Sequence, residues 1–368
     1  MKNTSILFYI LLWLFSVSSC NQKKHQVTLL EKFTVPQEDH PEWTDLFTDK
    51  YTITPLETTP ESLVGEINKI KKFNGHYYIS SAGKSILCFN EKGKFVTSLN
   101  KMGQGPEEYL RIEDFDVYEI NGKTEIWISD NKSLKIYDAN DCTFLNKISY
   151  PFIIHKFKRL DNSHILLVTG QNDHSLTLTD KNGNILSEYL EKEIPYLMFR
   201  PVQFVKYGSE YLFQLGISNT YIAFDSKTET FNKGLFSNNE VYLSDIQLLE
   251  LYNTYEMEFI REANKSSYIN NIIPLNETLW LQTCYAGRKY ITKIEKDGKA
   301  TSTEYSYGTF VSTITVGDSE NSLLLYLTPD QLLENEKQYT DRDGNEIICQ
   351  IDDNSLHCRI LLKLSDYE

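Results

Sequence analysis

One short pattern recurs along this 368-residue chain and limits its fold more than any other feature. A cluster of turn-forming residues is followed at once by a β-rich run. The copies are Asn74-Gly75 before His76-Tyr77-Tyr78-Ile79, Asn121-Gly122 before Glu125-Ile126-Trp127-Ile128, and Asp161-Asn162-Ser163 before Ile165-Leu166-Leu167-Val168. Three more are Gly208-Ser209 before Tyr211-Leu212-Phe213, Asn276-Glu277 before Leu279-Trp280-Leu281, and Asp318-Ser319 before Leu323-Leu324-Leu325-Tyr326. Markers at 77, 126, 165, 211, 279 and 323 are separated by 49, 39, 46, 68 and 44 residues. All but the 68-residue interval lie near the ~40–50 residues of a four-stranded propeller blade.

Each of the first five copies leads into a second strand–turn, such as Cys88-Phe89-Asn90-Glu91-Lys92-Gly93 or Lys293-Ile294-Glu295-Lys296-Asp297-Gly298, and then a further strand. A strand also precedes each unit, as in Glu113-Asp114-Phe115-Asp116-Val117-Tyr118. Every repeat therefore reads as four strands, a to d. The long interval has a local cause: Leu248, Leu249, Tyr252, Tyr255 and Phe259 recur at helical spacing behind the capping pair Ser244-Asp245, which predicts an inserted helix of about 20 residues. Thr328-Pro329-Asp330-Gln331 reads as the capped start of a second inserted helix. The last repeat runs out of chain after its third strand, His357 to Leu364, while Tyr51 to Glu57 is an unassigned strand ahead of the first. An open sheet edge invites association, so the early strand is expected to fill that gap. The expectation is an all-β fold over residues 46–368: a six-bladed β-propeller of four-stranded antiparallel blades, the last closed by an N-terminal strand, with two short helical insertions.

The N-terminus gives an address. Ile6 to Phe15 is an apolar run behind Lys2, too short to span a ~30 Å hydrocarbon layer, and it reads as the core of a signal peptide over residues 1–19. Ser16-Val17-Ser18-Ser19 before Cys20 resembles a bacterial lipobox, which implies acylation of Cys20 and a lipid-anchored tether over residues 20–45. An ordinary signal peptide with an incidental cysteine is the alternative. The remaining cysteines, Cys88, Cys142, Cys284, Cys349 and Cys358, are odd in number and show no CxxC spacing, so neither a zinc site nor a disulfide framework is signalled. A Cys349–Cys358 bridge remains open, and Cys88, Cys284 and Cys358 sit in apolar strand patterns as buried thiols. The formal charge of −14, from 37 basic and 51 acidic side chains, argues against nucleic acid as a partner.

Four segments carry a wider resemblance: Pro55-Leu56-Glu57-Thr58, Gly65-Glu66-Ile67-Asn68-Lys69-Ile70, Gly103-Gln104-Gly105-Pro106-Glu107-Glu108-Tyr109, and the tail from Asp353-Asn354 through Ile360-Leu361-Leu362-Lys363-Leu364. In these the chain resembles the six-bladed β-propeller lipoproteins of Bacteroidetes. The resemblance implies the fold and an outer-membrane lipoprotein facing the periplasm or the cell surface. It supplies no catalytic residues. Asn21-Gln22-Lys23-Lys24 follows the lipobox cysteine where surface-exported lipoproteins of that phylum often carry acidic residues.

Propeller geometry sorts the loops. Turns a–b and c–d share one face, and b–c loops share the other with the connections between blades. Both insertions and the segments Gly103–Arg111 and Glu191–Pro201 belong to the second face, and elaborated loops mark a working face. Its candidate ligand-binding residues are Gln104, Glu107, Glu108, Tyr109, Arg111, Tyr196, Phe199, Arg200, Tyr285 and Arg288, a mixture of aromatics, arginines and carboxylates suited to a glycan or protein partner. The competing reading of Gly103–Tyr109 is a crossover whose tyrosine wedges between blades. No G-x-S-x-G, H-E-x-x-H or phosphate-cradling loop occurs. A binding or scaffolding module, monomeric and without a cofactor, is therefore expected before an enzyme. The alternative is a metal-assisted hydrolase or lactonase-type enzyme in the central channel, with Asp114, Asp116 and His155 as metal ligands and Gln203 and Asn270 nearby. His155, His164 and His174 are otherwise read as satisfied or exposed histidines, and Asp341, Asp343 and Asn345 as a hairpin turn.

Overall fold

Local turn chemistry sets where the strands begin and end. The computed structural model describes residues 51–192, 204–207, 209–213, 220–235, 243–258, 268–275, 278–285, 288–295, 299–305, 322–327 and 360–365. Asn74-Gly75 and Asn121-Gly122 each place two successive residues in the left-handed region, φ 45 and 73° in the first pair and 53 and 76° in the second. That twist matches the twist of paired antiparallel strands, and Asn and Gly tolerate it best. The c–d turns use side chains instead. Asn90 Oδ1 accepts from the amides of Lys92 and Lys94, and Asp180 Oδ1 from those of Asn182 and Asn184, so each loop supplies its own acceptor.

Strand β1 is Tyr51–Pro55. The first four-stranded blade follows as β2 (Ile67–Phe73), β3 (His76–Ser81), β4 (Ser85–Asn90) and β5 (Phe95–Leu99). The second is β6 (Asp114–Ile120), β7 (Lys123–Asp130), β8 (Ser133–Asp138) and β9 (Phe144–Ser149). The third is β10 (Ile153–Arg159), β11 (His164–Gly170), β12 (His174–Asp180) and β13 (Ile185–Glu191). The fourth is β14 (Val205–Tyr207), β15 (Glu210–Phe213), β16 (Thr220–Asp225) and β17 (Thr230–Leu235). Helix α1 (Asp245–Tyr255) precedes the fifth blade, β18 (Tyr268–Leu275), β19 (Thr278–Tyr285), β20 (Arg288–Ile294) and β21 (Ala300–Tyr305). The last strands are β22 (Ser322–Leu327) and β23 (Ile360–Ser365).

The core lies between neighbouring sheets. One cluster joins Tyr78 and Cys88 of the first blade to Phe115, Ile126 and Tyr137 of the second, and another joins Trp127 and Ile136 to Phe157 and Leu167 of the third. Each such side chain, when fully buried, contributes on the order of 1.5–3 kcal/mol. The inner strands β2, β10 and β18 share an irregularity. Register shifts between Ile67 and Lys69, Ile154 and Lys156, and Ile269 and Asn271 leave Asn68, His155 and Asn270 as the extra residue of a bulge.

Two parts of the sequence expectation need correction. Six four-stranded blades were expected; among the described residues there are five, together with a three-stranded sheet in the order β1-β23-β22. The expectation assumed that every repeat brings its own innermost strand, whereas the stretch ahead of β22, residues 306–321, lies outside the described residues. Two helices were expected, and one α-helix is present among the described residues; the segment beginning at Thr328 lies outside them. Helix α1 is also shorter than the sequence suggested. Ser244 caps it in a reciprocal box with Gln247, and Glu256 ends it at φ 46°, after which a single 3-10 turn (Glu256–Glu258) follows. The early strand does lie against the late one: β1 pairs antiparallel with β23, from Tyr51 opposite Leu364 to Pro55 opposite Ile360.

This pairing covers an edge of β23 that would otherwise expose unpaired amides and carbonyls. Deleting residues 51–55 is expected to lower the melting temperature by at least about 5 °C. It should also produce concentration-dependent association in size-exclusion chromatography with light scattering. A monodisperse deletion variant of unchanged stability would contradict this role.

Candidate functional site

The innermost strands of the first three blades carry complementary charge at alternate positions. Lys69 and Lys71 lie on β2, Asp114 and Asp116 on β6, and Lys156 and Lys158 on β10. Period-two geometry puts each pair on one side of its strand, while Ile70, Phe115 and Phe157 turn into the apolar clusters. Asp114 Oδ1 lies 3.1 Å from Lys69 Nζ and 3.4 Å from Lys156 Nζ, and Asp116 is held 3.4 Å from Lys71 Nζ and 3.1 Å from Lys158 Nζ. Backbone groups complete the arrangement. Lys69 Nζ donates to the carbonyl of Phe115 at 2.6 Å, the amide of Phe157 donates to Asp114 Oδ2 at 3.3 Å, and the amide of Val117 donates to Asp116 Oδ1 at 2.9 Å.

Burial alone pushes the Asp116 carboxyl up. The charges of Lys158, Lys71 and Lys69 more than offset this and hold it well below the usual carboxylate range. Its stabilising contribution is therefore present above the ordinary carboxylate pKa of about 3.9 and is lost as pH falls further. Asp114 and Asp116, two of the three proposed metal ligands, are thus held by ammonium groups. No cluster of three or more His, Cys, Asp or Glu side chains able to hold a metal ion occurs among the described residues. The third, His155, occupies the β10 bulge. Burial, with the charges of Lys192 and Lys156, holds its imidazole below its ordinary range.

The segment Gly103–Arg111 forms a crossover between the first and second blades. Tyr109 is fully buried; its hydroxyl donates to the carbonyl of Lys84 at 2.8 Å, lies 3.0 Å from that of Leu99, and receives the amide of Lys101 at 3.2 Å. Its ring meets that of Tyr137 edge-on, 6.3 Å between centroids. Glu108 turns back to accept the amide of Gly105 at 2.8 Å, and a side chain at Gly103 would collide with that carboxylate. Lys135 Nζ, paired with Asp130 at 3.0 Å, donates to the carbonyl of Glu108, while Tyr137 donates to that of Glu107 at 2.9 Å. Asp130 Oδ1 accepts the amides of Leu110 and Arg111.

The structure therefore brings Glu107, Glu108 and Tyr109 together by backbone and buried contacts, with Gln104, the Glu107 side chain and Arg111 on the exposed rim. Arg111 pairs there with Glu113 at 3.3 Å. Tyr285 and Arg288 stand opposite each other at the b–c end of the β19–β20 hairpin. Tyr196, Phe199, Arg200 and Gln203 lie outside the described residues, as do Cys20, Cys349, Cys358 and the turn containing Asp341, Asp343 and Asn345. His164 pairs with Asp161 at 2.9 Å, and His174 stands 3.9 Å from Glu188. Cys88 and Cys142 are buried free thiols, and burial pushes that of Cys88 up to about 12.

Radial four-stranded blades with their cores between sheets define an all-β propeller. The family model described as Domain of unknown function (DUF4934) matches residues 37–237, more than half the chain, and the protein belongs to that family. The fold is similar to that of a crystal structure from Bacteroides fragilis described as an exported protein. That likeness has a TM-score of 0.70 at 19% identity and covers 88% of this chain and 98% of that one. A streptogramin B lyase (12% identity, 86% and 98% covered) and a luciferin-regenerating enzyme (8% identity, 86% and 96% covered) each align with a TM-score of 0.49. None of the curated proteins matches the sequence. No helix among the described residues is long and apolar enough to cross a membrane.

Removing the charge of Asp116 leaves two buried ammoniums facing a neutral group. Asp116→Asn is expected to cost about 3–5 kcal/mol at neutral pH. The difference from wild type should shrink as pH falls below about 4, because the carboxylate of the unfolded chain then takes up a proton while the folded one, held lower, stays charged. Urea unfolding at a series of pH values measures both quantities, and a pH-independent difference would contradict the pairing.

Proposed function

We propose that this protein is an exported envelope lipoprotein, anchored through Cys20 at the outer membrane on its periplasmic or surface side. In this reading it is a monomeric binding or scaffolding module for a glycan or protein partner, not an enzyme. One observation carries the proposal. The Gly103–Arg111 crossover is a rigid, internally satisfied platform that presents Gln104, Glu107 and Arg111 to solvent on the face of the b–c loops. A platform whose backbone is already paired spends little further ordering on binding, and its exposed guanidinium can engage a carboxylate or sugar hydroxyls with two parallel hydrogen bonds. Tyr285 and Arg288, opposite each other at the b–c end of the fifth blade, extend the same face. The signal-like segment before Cys20, and the exported description of the Bacteroides fragilis structure with the same fold, support the location. The lysine shell around Asp114 and Asp116 speaks against a hydrolase centred on those carboxylates.

The soluble form, residues 21–368, provides the test. Screened against glycans and envelope extracts, it is expected to retain a partner whose affinity falls at least about tenfold in Gln104→Ala/Arg111→Ala, with the melting temperature unchanged. Binding indifferent to that change would remove the crossover from the site. Divalent-metal-dependent hydrolysis would replace the binding reading with the enzymatic one.

A further inference from the structure

The outer strands of the first three blades share one irregularity. Their pairing with the preceding strand shifts by a residue between Cys88 and Phe89, between Ile136 and Tyr137, and between Leu178 and Thr179. Each shift leaves an extra residue soon after the c–d turn: Val96 on β5, Leu145 on β9 and Leu186 on β13. A bulge at this place is understandable by itself, because it turns a free sheet edge away from edge-to-edge pairing. That purpose dictates the backbone and not the side chain, and a charged residue would serve it better. All three residues are nevertheless branched aliphatics, exposed to 49%, 40% and 47%, with Ile185 at 44% beside the third. In the fourth and fifth blades the outer strands pair without a shift, and the residues in the equivalent place are polar, Asn232 and Thr301.

The three bulged strands adjoin one another. Thr97, the neighbour of Val96, holds its Oγ1 3.9 Å from Sγ of Cys142, which lies in the turn before Leu145. A Cβ at Gly183, in the turn before Leu186, would come within 2.7 Å of Ile148 on β9. The apolar tips therefore follow one arc of the rim from the first blade to the third. Exposed lysines accompany each tip: Lys92 and Lys94 before Val96, Lys147 after Leu145, and Lys181 before Leu186. Strand β1 meets the start of this arc, since the amide of Glu57 donates to the carbonyl of Gly93 at 2.8 Å in the c–d turn of the first blade. The chain enters β1 at Tyr51, opposite Leu364, at the end of β23 that corresponds to the c–d turns of the other blades.

We propose that this arc of the rim rests on a lipid surface, with Val96, Leu145 and Leu186 dipping into the boundary between headgroups and acyl chains. Two arguments select lipid over a folded partner. A protein interface needs contiguous, shape-matched area, about 800 Å² on each side. Single apolar tips set apart by polar residues suit instead a fluid phase that moulds itself to whatever enters it. The lysines beside them lay their methylenes on the apolar layer and keep their ammoniums among the headgroups. The second argument is reach. Thirty residues, 21 to 50, separate Cys20 from Tyr51, and a chain of that length spans at most about 100 Å. An acyl group at Cys20 keeps the c–d ends close to the bilayer, where contacts too weak to bind alone act at high effective concentration. The inference rests on the anchored reading for the presence of a bilayer. It adds an orientation that leaves the Gly103–Arg111 face open to a partner.

Residues 21–368 with an N-terminal hexahistidine tag provide the test. They are titrated with vesicles of phosphatidylethanolamine and phosphatidylglycerol containing a nickel-chelating lipid, which takes the place of the acyl chain. Val96→Ser/Leu145→Ser/Leu186→Ser is expected to weaken vesicle binding at least about tenfold, with the melting temperature unchanged. Leu63→Ser/Ile246→Ser, which removes exposed apolar side chains ahead of β2 and on α1, should bind as the wild type does. Equal affinity of the wild type and the triple variant, or an equal loss in both variants, would overturn the proposal. So would a dimer seen by light scattering without lipid and abolished in the triple variant, because it would assign the tips to a second copy. The tag keeps the two readings apart: an unacylated Cys20 in the native envelope would refute the anchor and leave the vesicle titration unaffected.

Discussion

The arrangement of the first three blades depends on two buried carboxylates. Asp114 and Asp116 stand between lysines contributed by strands on either side, so the inner edges of three consecutive sheets are tied at alternate residues. Taking such charges out of water costs several kcal/mol per ion, and their mutual attraction repays that only when geometry and extra hydrogen bonds are good. Both conditions hold here, through the amides of Val117 and Phe157 and the carbonyl of Phe115. A slip of one residue in β6 would turn both aspartates into the apolar clusters and bring Phe115 toward the lysines. The ion pairs therefore penalise wrong registers more than they add to total stability.

Around that fixed centre, the faces of the propeller are unequal. In the first three blades the a–b and c–d ends are short hairpins closed by Asn-Gly pairs or by an Asn or Asp acceptor. The other face carries the Gly103–Arg111 crossover and the corner where Lys192 meets Asn172. Rigid hairpins leave nothing to vary, whereas the crossover is stabilised from beneath by Tyr109, Lys135 and Tyr137 and turns its outer side chains to solvent. Elaboration and pre-organisation coincide on one face, which is why the functional reading is placed there.

Much of this was legible in the sequence. Turn residues marked the hairpins because Asn and Gly adopt left-handed backbone at little cost, and Ser244 marked the start of α1. Pairing of the early strand with the late one followed from an unmatched edge. The closing sheet shows three strands among the described residues where four were expected, because a turn followed by one apolar run does not by itself establish an innermost strand ahead of it. At the site, Asp114 and Asp116 entered the sequence reading only as metal ligands of the alternative, enzymatic function. The signal that could have corrected this was also present: Lys69-x-Lys71 and Lys156-x-Lys158 occupy the equivalent strand in the neighbouring repeats. Reading one repeat at a time hid the complementarity, because partners 42 to 45 residues apart meet only across blades. The bulge that takes His155 out of the ladder went unread, although Ile153-Ile154-His155-Lys156 breaks the alternation of an ordinary strand.

The most direct test of the lysine–aspartate ladder is a double-mutant cycle on Asp116 and Lys158, measured by equilibrium urea unfolding at neutral pH. A paired, buried contact predicts a coupling energy at the upper part of the usual ~0.5–3 kcal/mol range for residues in one network, with the double variant more stable than the sum of the single losses implies. Strictly additive losses would mean that the two groups do not interact in the folded protein, and the registration of the inner strands would need another cause.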